Sequence, residues 1–121
     1  MRKNNCLLSL DNAEGILVAV LSGEIDHHSA VWVRGEIDDA IASARPQRII
    51  LDLSGIDFMD SSGIGLIMGR YAKIRAIGGE LCVRDPNERI LKIFKMAGLE
   101  KIVSIEYSDD KGGEINEIKG N

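Results

Sequence analysis

The chain has 121 residues, a formal net charge of −4 and a hydrophobic content of 45%. This length is typical of one domain, with a core large enough to fold without disulfides or metals. The net negative charge argues against nonspecific binding to nucleic acid or to an anionic membrane, because both need clustered positive charge.

The cysteine content and the apolar runs predict the compartment. Cys6 and Cys82 each lie in a short apolar segment and are predicted to be buried thiols in a reducing environment. The chain has no CxxC pair and no Cys/His cluster, so we expect no metal site and no cofactor. No apolar run is long enough for a signal peptide or a membrane span. We therefore expect a cytoplasmic protein without membrane or direct nucleic-acid contacts.

The first third of the chain predicts a β-hairpin followed by a helix. Segments 6–10 and 16–21 are apolar and are joined by turn residues, which is typical of a hairpin. The second segment is apolar at every position, as in a strand covered on both faces. Across His27–Ala44 apolar residues recur every three or four positions, which predicts a helix. Asp26 lies where a carboxylate would cap this helix, and Pro46 follows its end.

The middle of the chain predicts a second strand and a second helix. Residues 48–53 are predicted to form a strand, 54–60 a loop and 61–77 a helix. A helix between two parallel strands makes a right-handed βαβ crossover. The predicted apolar positions of the second helix are Ile64, Ile67, Met68, Tyr71 and Ile74.

The last third predicts one more crossover and a polar tail. Residues 80–84 are predicted to form a strand, 88–96 a helix and 101–105 a short final strand. The polar segment 108–121 is predicted to be either irregular or a short, frayed helix at 114–119. Together these elements indicate a single α/β domain.

The stretch from Asp60 to Gly65 leads from a strand into a helix N-terminus. Loops at the carboxyl ends of parallel strands often carry function in α/β proteins. Free amides and the helix dipole also favour negative charge at such a site. Asp60, Ser61 and Ser62 are all good N-cap residues, so the pattern fits simple capping. It equally fits a phosphoacceptor serine held on a rigid element.

Two glycines in the first turns of this helix need an explanation. Gly63 and Gly65 each cost up to about 1 kcal/mol of helix stability relative to Ala. That cost is understandable if another backbone or a partner approaches closely. A phosphate on Ser61 would add about −1.5 to −2 charge units beside Asp60. The hypothesis is a switch by electrostatic occlusion of one surface, with little global change.

An enzymatic alternative uses the same serine as a nucleophile. His27 and His28 follow Asp26 at the start of the first helix, so a Ser–His–Asp arrangement with Ser61 is geometrically conceivable. The residues around Ser61 do not form G-x-S-x-G. The glycines match neither the P-loop nor the dinucleotide-binding pattern. A small hydrolase therefore stays a secondary hypothesis.

The run FMDSSGIGLIMGRY, with GEIDHHSA before it and IGGELCV after it, resembles the anti-sigma-factor antagonists of the sporulation stage II AA type in the STAS superfamily. The likeness spans nearly the whole chain. It implies an α/β, STAS-like single domain over residues 1–121. The expected architecture is a mixed β-sheet of four to five strands with an N-terminal hairpin, βαβ crossovers and helices packed on the sheet. Trp32, predicted to be partly exposed, departs from the family pattern.

The resemblance implies a regulatory protein that is not an enzyme. In unphosphorylated form it would bind an anti-sigma factor that is also a serine kinase, and so release the sigma factor. The kinase would phosphorylate Ser61, and a PP2C-type phosphatase would reset the switch. The implied partner-binding residues are Asp26, Asp60, Ser61, Ser62, Gly63 and Gly65. The expected state is a monomer or weak dimer, and the alternative role is a STAS subunit of a stressosome-like or transporter-associated assembly.

Overall fold

The computed structural model describes residues 2–3 and 5–108, which form one mixed sheet with helices on it. The strands are β1 (Arg2–Lys3), β2 (Cys6–Ala13), β3 (Ile16–Ile25), β4 (Arg48–Met59), β5 (Glu80–Arg84) and β6 (Ser104–Glu106). The helices are α1 (His27–Ala44), α2 (Ser61–Ala76) and α3 (Glu88–Ala97), and a 3-10 turn (Leu99–Lys101) follows α3. The strands lie side by side in chain order. The pairings from β1 to β3 are antiparallel and those from β3 to β6 are parallel.

The predicted architecture is confirmed, and β1 adds to it a two-residue strand that the sequence did not predict. The hairpin of β2 and β3 is present, but its turn is tighter than predicted. Ala13 pairs with Ile16, so only Glu14 and Gly15 form the turn. Both have positive φ, 55° and 81°, as in the two-residue turns that match strand twist. The preceding residues therefore extend β2 instead of forming a loop.

The helices pack on one face of the sheet. Leu17, Ala19 and Leu21 of β3 point into this core together with the buried side chains of all three helices. Val20, between them, is 40% exposed. The expectation that β3 is covered on both faces is therefore wrong. Alternate side chains of a strand point to opposite faces, and the helices cover only one of them.

Strand β4 continues to Met59, so the loop predicted at 54–60 is wrong. β3 itself runs on to Ile25, and Ile25 pairs with Met59 at the end of the parallel ladder. Shifts of register after Val20 and after Gly23 keep the apolar side chains of the extended β4 in the core, as β-bulges commonly do. Only Asp60 separates β4 from α2.

Helix α1 has the predicted bounds, whereas the predicted apolar stripe of α2 is confirmed as buried only at Ile67 and Ile74. The buried residues of α2 are Gly63, Leu66, Ile67, Arg70 and Ile74. Of the predicted stripe, Met68 is 43% exposed, and Ile64 and Tyr71 are half-buried. The guanidinium of Arg70 is buried against α1, where its Nε lies 2.9 Å from Asp38 Oδ1. Sequence analysis missed this ion pair.

The C-terminal part of the described chain differs from the prediction in its last strand. Gly98, with φ of 73°, ends α3, and the amides of Ile102 and Val103 donate to the Leu99 carbonyl. This turn delays the strand, which spans Ser104–Glu106 instead of 101–105. The predicted tail helix at 114–119 lies outside the described residues. No described helix combines the length and the apolar character needed to cross a bilayer.

Candidate functional site

The carboxyl ends of β3 and β4 place two helix N-termini side by side. Ile25 and Met59 are paired across the two strands, and the next residue in each strand is an aspartate that caps a helix. The backbone N–H of Asp60 donates to the carbonyl oxygen of Ile25 at 3.2 Å. Asp26 and Asp60 therefore share one edge of the sheet, as the sequence predicted.

Asp26 closes the N-terminus of α1 with a reciprocal pair of hydrogen bonds. Its carboxylate accepts the Ser29 amide at 2.9 Å, and its own amide donates to the Ser29 hydroxyl at 2.9 Å. The hydrogen bond from the Ser29 amide is the main reason that the pKa of Asp26 is lowered from its usual value, and the Ser29 hydroxyl and His28 lower it further. Asp26 is therefore a fixed negative charge at this edge.

At the start of α2 the cap is Asp60 and not a serine. The Asp60 carboxylate accepts the Ser62 amide at 2.8 Å, and the Asp60 carbonyl accepts the Gly63 amide at 3.0 Å. Ser61 is exposed, and its hydroxyl has no hydrogen-bond partner within residues 5–108. Capping therefore explains Asp60 but leaves the Ser61 hydroxyl free, a distinction that the sequence pattern did not provide.

The two glycines of the first turns have different surroundings. Gly63 is buried, and a Cβ built there would lie 2.6 Å from the Met59 sulfur, closer than real contacts allow. A Cβ at Gly65 would meet nothing within 4 Å. At Gly63 the predicted close approach is made by the Met59 side chain of the same chain, and not by another backbone or a partner. At Gly65 the surface is open.

The adjacent serines face two different grooves. Ser61 lies at the edge of an apolar cavity of about 460 Å³ between α2 and α3. Ser62 lines a smaller cavity of about 250 Å³ between α1 and α2, which also contains His27 and Arg34. No hydrogen bond joins Ser61 to His27 or His28 in the described part of the chain. The site geometry therefore gives no support to the hydrolase hypothesis.

The two cysteines are both free and buried, as predicted. Burial, and then the negative charge of Asp26, raises the pKa of the Cys6 thiol. Burial, and then the neighbouring Glu106, raise the pKa of Cys82 to about 12. Among the residues that the structure describes, no three His, Cys, Asp or Glu side chains are grouped as metal ligands.

Comparisons with known proteins identify the family. Residues 8–111 match the family of the STAS domain. An anti-sigma F factor antagonist of Paenibacillus polymyxa is 42% identical over 101 residues, which cover 84% of this chain and 86% of the relative.

Two solved structures are also similar, each with 28% identity to this chain. The anti-sigma factor antagonist SpoIIAA in its unphosphorylated form has a TM-score of 0.77, with 95% of this chain and 98% of that chain covered. The Bacillus cell fate determinant SpoIIAA in the phosphorylated form has a TM-score of 0.69, with 89% and 97% covered. The family match over residues 8–111 and the 42% identical relative show that the chain belongs to the STAS domain family.

Proposed function

We propose that this protein is an anti-sigma factor antagonist whose binding to an anti-sigma factor is switched off by phosphorylation of Ser61. The observation that carries the proposal is the exposed Ser61 hydroxyl. This hydroxyl does not cap α2, because the Asp60 carboxylate does so. The 42% identical relative is an anti-sigma F factor antagonist. SpoIIAA, which has the same fold, occurs in unphosphorylated and phosphorylated forms.

The partner in this proposal is an anti-sigma factor that is also an ATP-dependent serine kinase. Its binding surface is the edge that contains both caps, with Ser61 at the centre. Asp26 and Asp60 cap the two helices of this edge, Ser62 lines the neighbouring groove, and Gly65 leaves room for the partner to approach. Gly63 contributes indirectly, because its packing against Met59 sets the start of α2.

Phosphorylation acts in this proposal through charge. A phosphoserine carries about −1.5 to −2 charge units at neutral pH. It would stand on an edge that already holds the ionised Asp26, so a partner surface shaped for a neutral hydroxyl would meet concentrated negative charge. The N-terminal end of the α2 dipole offsets part of this charge locally, so the fold itself need not change. A PP2C-type phosphatase would restore the hydroxyl.

The chain would act as a binding module in the cytoplasm and not as an enzyme. Its relatives are named anti-sigma factor antagonists, and antagonism of an anti-sigma factor is a regulatory role. The similarity to anti-sigma F factor antagonists favours a sigma-factor circuit of the sporulation type over a stressosome-like or transporter-associated assembly.

Phosphoryl transfer to Ser61 is the direct test. The chain is incubated with ATP and the anti-sigma F factor of the same organism, and its peptides are mapped by mass spectrometry. We expect a gain of about 80 Da, the mass of one phosphoryl group, on the peptide that contains Ser61. Ser61→Ala should abolish this gain and Ser62→Ala should retain it. Modification of Ser62 alone, or no modification by a kinase that is active on another substrate, would contradict the proposal.

Binding provides the second test of the same proposal. Ser61→Asp places a permanent negative charge at the switch position, and we expect it to weaken binding of the anti-sigma F factor by about tenfold or more. Ser62→Asp, one residue along the same helix, is the matched control and should weaken binding less. Equal binding by Ser61→Asp and the unmodified chain would count against a charge-based switch.

A further inference from the structure

The groove between α2 and α3 starts at the proposed phosphorylation site. Ser61 and Ile64 line it from α2, and Ile93 and Met96 line it from α3. Met59, at the end of β4, and Asp60, the cap of α2, also line the groove, and Asp60 is its one charged lining residue in the described part of the chain. A partner that reaches the Ser61 hydroxyl therefore approaches over an apolar surface.

This surface is open to solvent and contains flexible side chains. Met96 is 83% exposed, the largest exposed fraction among the large apolar residues of the described chain. On α2, Ser61, Ile64 and Met68 follow one another at three- and four-residue spacing, so they lie on the same side of the helix. Met68 is 43% exposed and extends the apolar surface away from Ser61. Methionine side chains adapt to many shapes, and they are common at protein-binding surfaces.

A kinase that reaches Ser61 comes close to this groove, because Ser61 is one of its lining residues. For phosphoryl transfer, the serine oxygen must come within about 3–3.5 Å of the reacting phosphorus atom. Ser61 lies on the rim of the groove, so a kinase surface around its active site would lie beside the groove walls. An apolar wall that is covered in the complex favours an apolar contact from the partner.

We propose, on the basis of the proposed function, that the groove between α2 and α3 binds an apolar side chain of the anti-sigma factor kinase, and that this contact is what phosphorylation of Ser61 disrupts. In the unphosphorylated protein the rim carries the Asp60 carboxylate, which accepts the Ser62 amide, and the neutral Ser61 hydroxyl, which costs little to cover. A phosphate at the same place keeps its hydration, and covering it with an apolar side chain would remove that water at a high cost in free energy. The switch then depends on desolvation at the groove as well as on charge repulsion.

Lysine substitutions in and outside the groove test this inference. Binding of the anti-sigma F factor of the same organism is measured by titration calorimetry without ATP, so that no phosphoryl transfer occurs. Met96→Lys should weaken binding by about tenfold or more, as expected when an apolar contact at the centre of an interface is lost. Met68→Lys, one turn beyond Ile64 on the same side of α2, should weaken it less, by about threefold.

Ile77→Lys is the matched control. Ile77 follows the last residue of α2, at the end of the helix farthest from Ser61, and its exposure of 37% is close to the 43% of Met68. It adds the same charge to a similarly exposed apolar position, and binding should stay within about twofold of the unmodified chain. Thermal unfolding of each variant excludes loss of the fold as the cause.

The outcomes separate this inference from the proposed function. If the unmodified chain binds and Met96→Lys binds equally well, the inference is wrong and the proposed function stands. If Val31→Lys, in the groove between α1 and α2, weakens binding in place of Met96→Lys, the partner uses the other groove and the inference is again wrong. If Met96→Lys changes only the oligomeric state, a second copy of the chain occupies the groove. If the unmodified chain does not bind at all, the proposed function and this inference both fail.

Discussion

The first turn of α2 and its middle turn both carry polar side chains, and the two turns use them in opposite ways. At the first turn the Ser61 hydroxyl is exposed and has no partner within residues 5–108. In the middle, Arg70 is 4% exposed and its guanidinium is paired with Asp38 of α1. Burial alone raises the cost of charging Arg70, which lowers its pKa, and Asp38 opposes this effect.

Under the proposed function, the first turn of α2 serves recognition and its middle turn holds the helix in the fold. The ion pair between Arg70 and Asp38 holds α2 against α1, and removal of Asp38 would leave the Arg70 guanidinium charged with little solvent around it. The hydroxyl of Ser61 contributes nothing comparable to the fold, so it can be modified without loss of structure. The predictions below test this division, from the largest expected effect on stability to the smallest.

Asp38→Ala should have the largest effect. It leaves the buried guanidinium of Arg70 without its partner, and we expect the free energy of unfolding to fall by about 2–3 kcal/mol. The measurement is urea unfolding followed by circular dichroism. Asp39→Ala, at an exposed position of the same helix, is the control and should change stability by less than about 0.5 kcal/mol. Equal effects of the two substitutions would show that the ion pair does not hold the helices together.

Gly63→Ala and Gly65→Ala should change stability in opposite directions. The new Cβ at Gly63 would meet the Met59 side chain, and overpacking of this kind outweighs the gain in helix propensity, for a net loss of about 1–2 kcal/mol. At Gly65 the space is open, so the same change should stabilise the protein by up to about 1 kcal/mol. Thermal unfolding of both variants under identical conditions provides the comparison. A stabilising Gly63→Ala would mean that Met59 moves aside freely.

Asp60→Ala should remove the cap of α2 and lower the free energy of unfolding by about 1 kcal/mol. Ser61→Ala, one residue later, removes only a hydroxyl without a capping role and should change stability by less than about 0.5 kcal/mol. Chemical denaturation of the two variants tests whether the aspartate alone closes this helix. If Ser61→Ala costs as much as Asp60→Ala, the serine shares the capping role and the division within α2 is less sharp.

The smallest effect is a change in pH dependence at the other cap. The pKa of Asp26 is lowered below its usual value of 3.8 in the folded protein, so its ionised form favours the folded state. Its contribution to stability is complete above the unfolded-state pKa and is lost as the pH falls through the folded-state pKa. Asp26→Asn should therefore flatten the dependence of unfolding free energy on pH as the pH falls below the usual pKa of 3.8. Asp39→Asn is the control, and an equally flat profile for it would remove the special role of Asp26.

Local patterns in the sequence were sufficient for the elements that end at clear signals. Helix α1 has its predicted bounds because a helical stripe, the Asp26 cap and Pro46 all agree. The extension of β4 to Met59 could not be predicted in this way. The extension depends on pairing with β3, which is a contact between distant parts of the chain. The polar residues after Leu53 have the composition that is typical of a loop.

Helix α2 shows the limit of periodicity. The apolar spacing identified the helix but not which side would be buried, because Ile64 and Met68 fit the pattern as well as the core residues do. Arg70 was missed because arginine is rarely buried without a partner, and Asp38 lies on another helix. For the site, family resemblance selected Ser61 and Asp26. The fact that Asp60 is the cap, which leaves the serine free, required the structure.

The two native thiols are buried, so thiol-reactive probes should label the unmodified protein very little. Cys6 and Cys82 are 0% and 1% exposed, and the pKa of Cys82 is raised to about 12. The thiolate is the reactive form, so neither native cysteine competes for a maleimide or nitroxide reagent at neutral pH. A single cysteine introduced by Met68→Cys, on the same side of α2 as Ser61, would therefore be the one labelled position. A fluorophore there would report the binding of a partner beside Ser61 in real time.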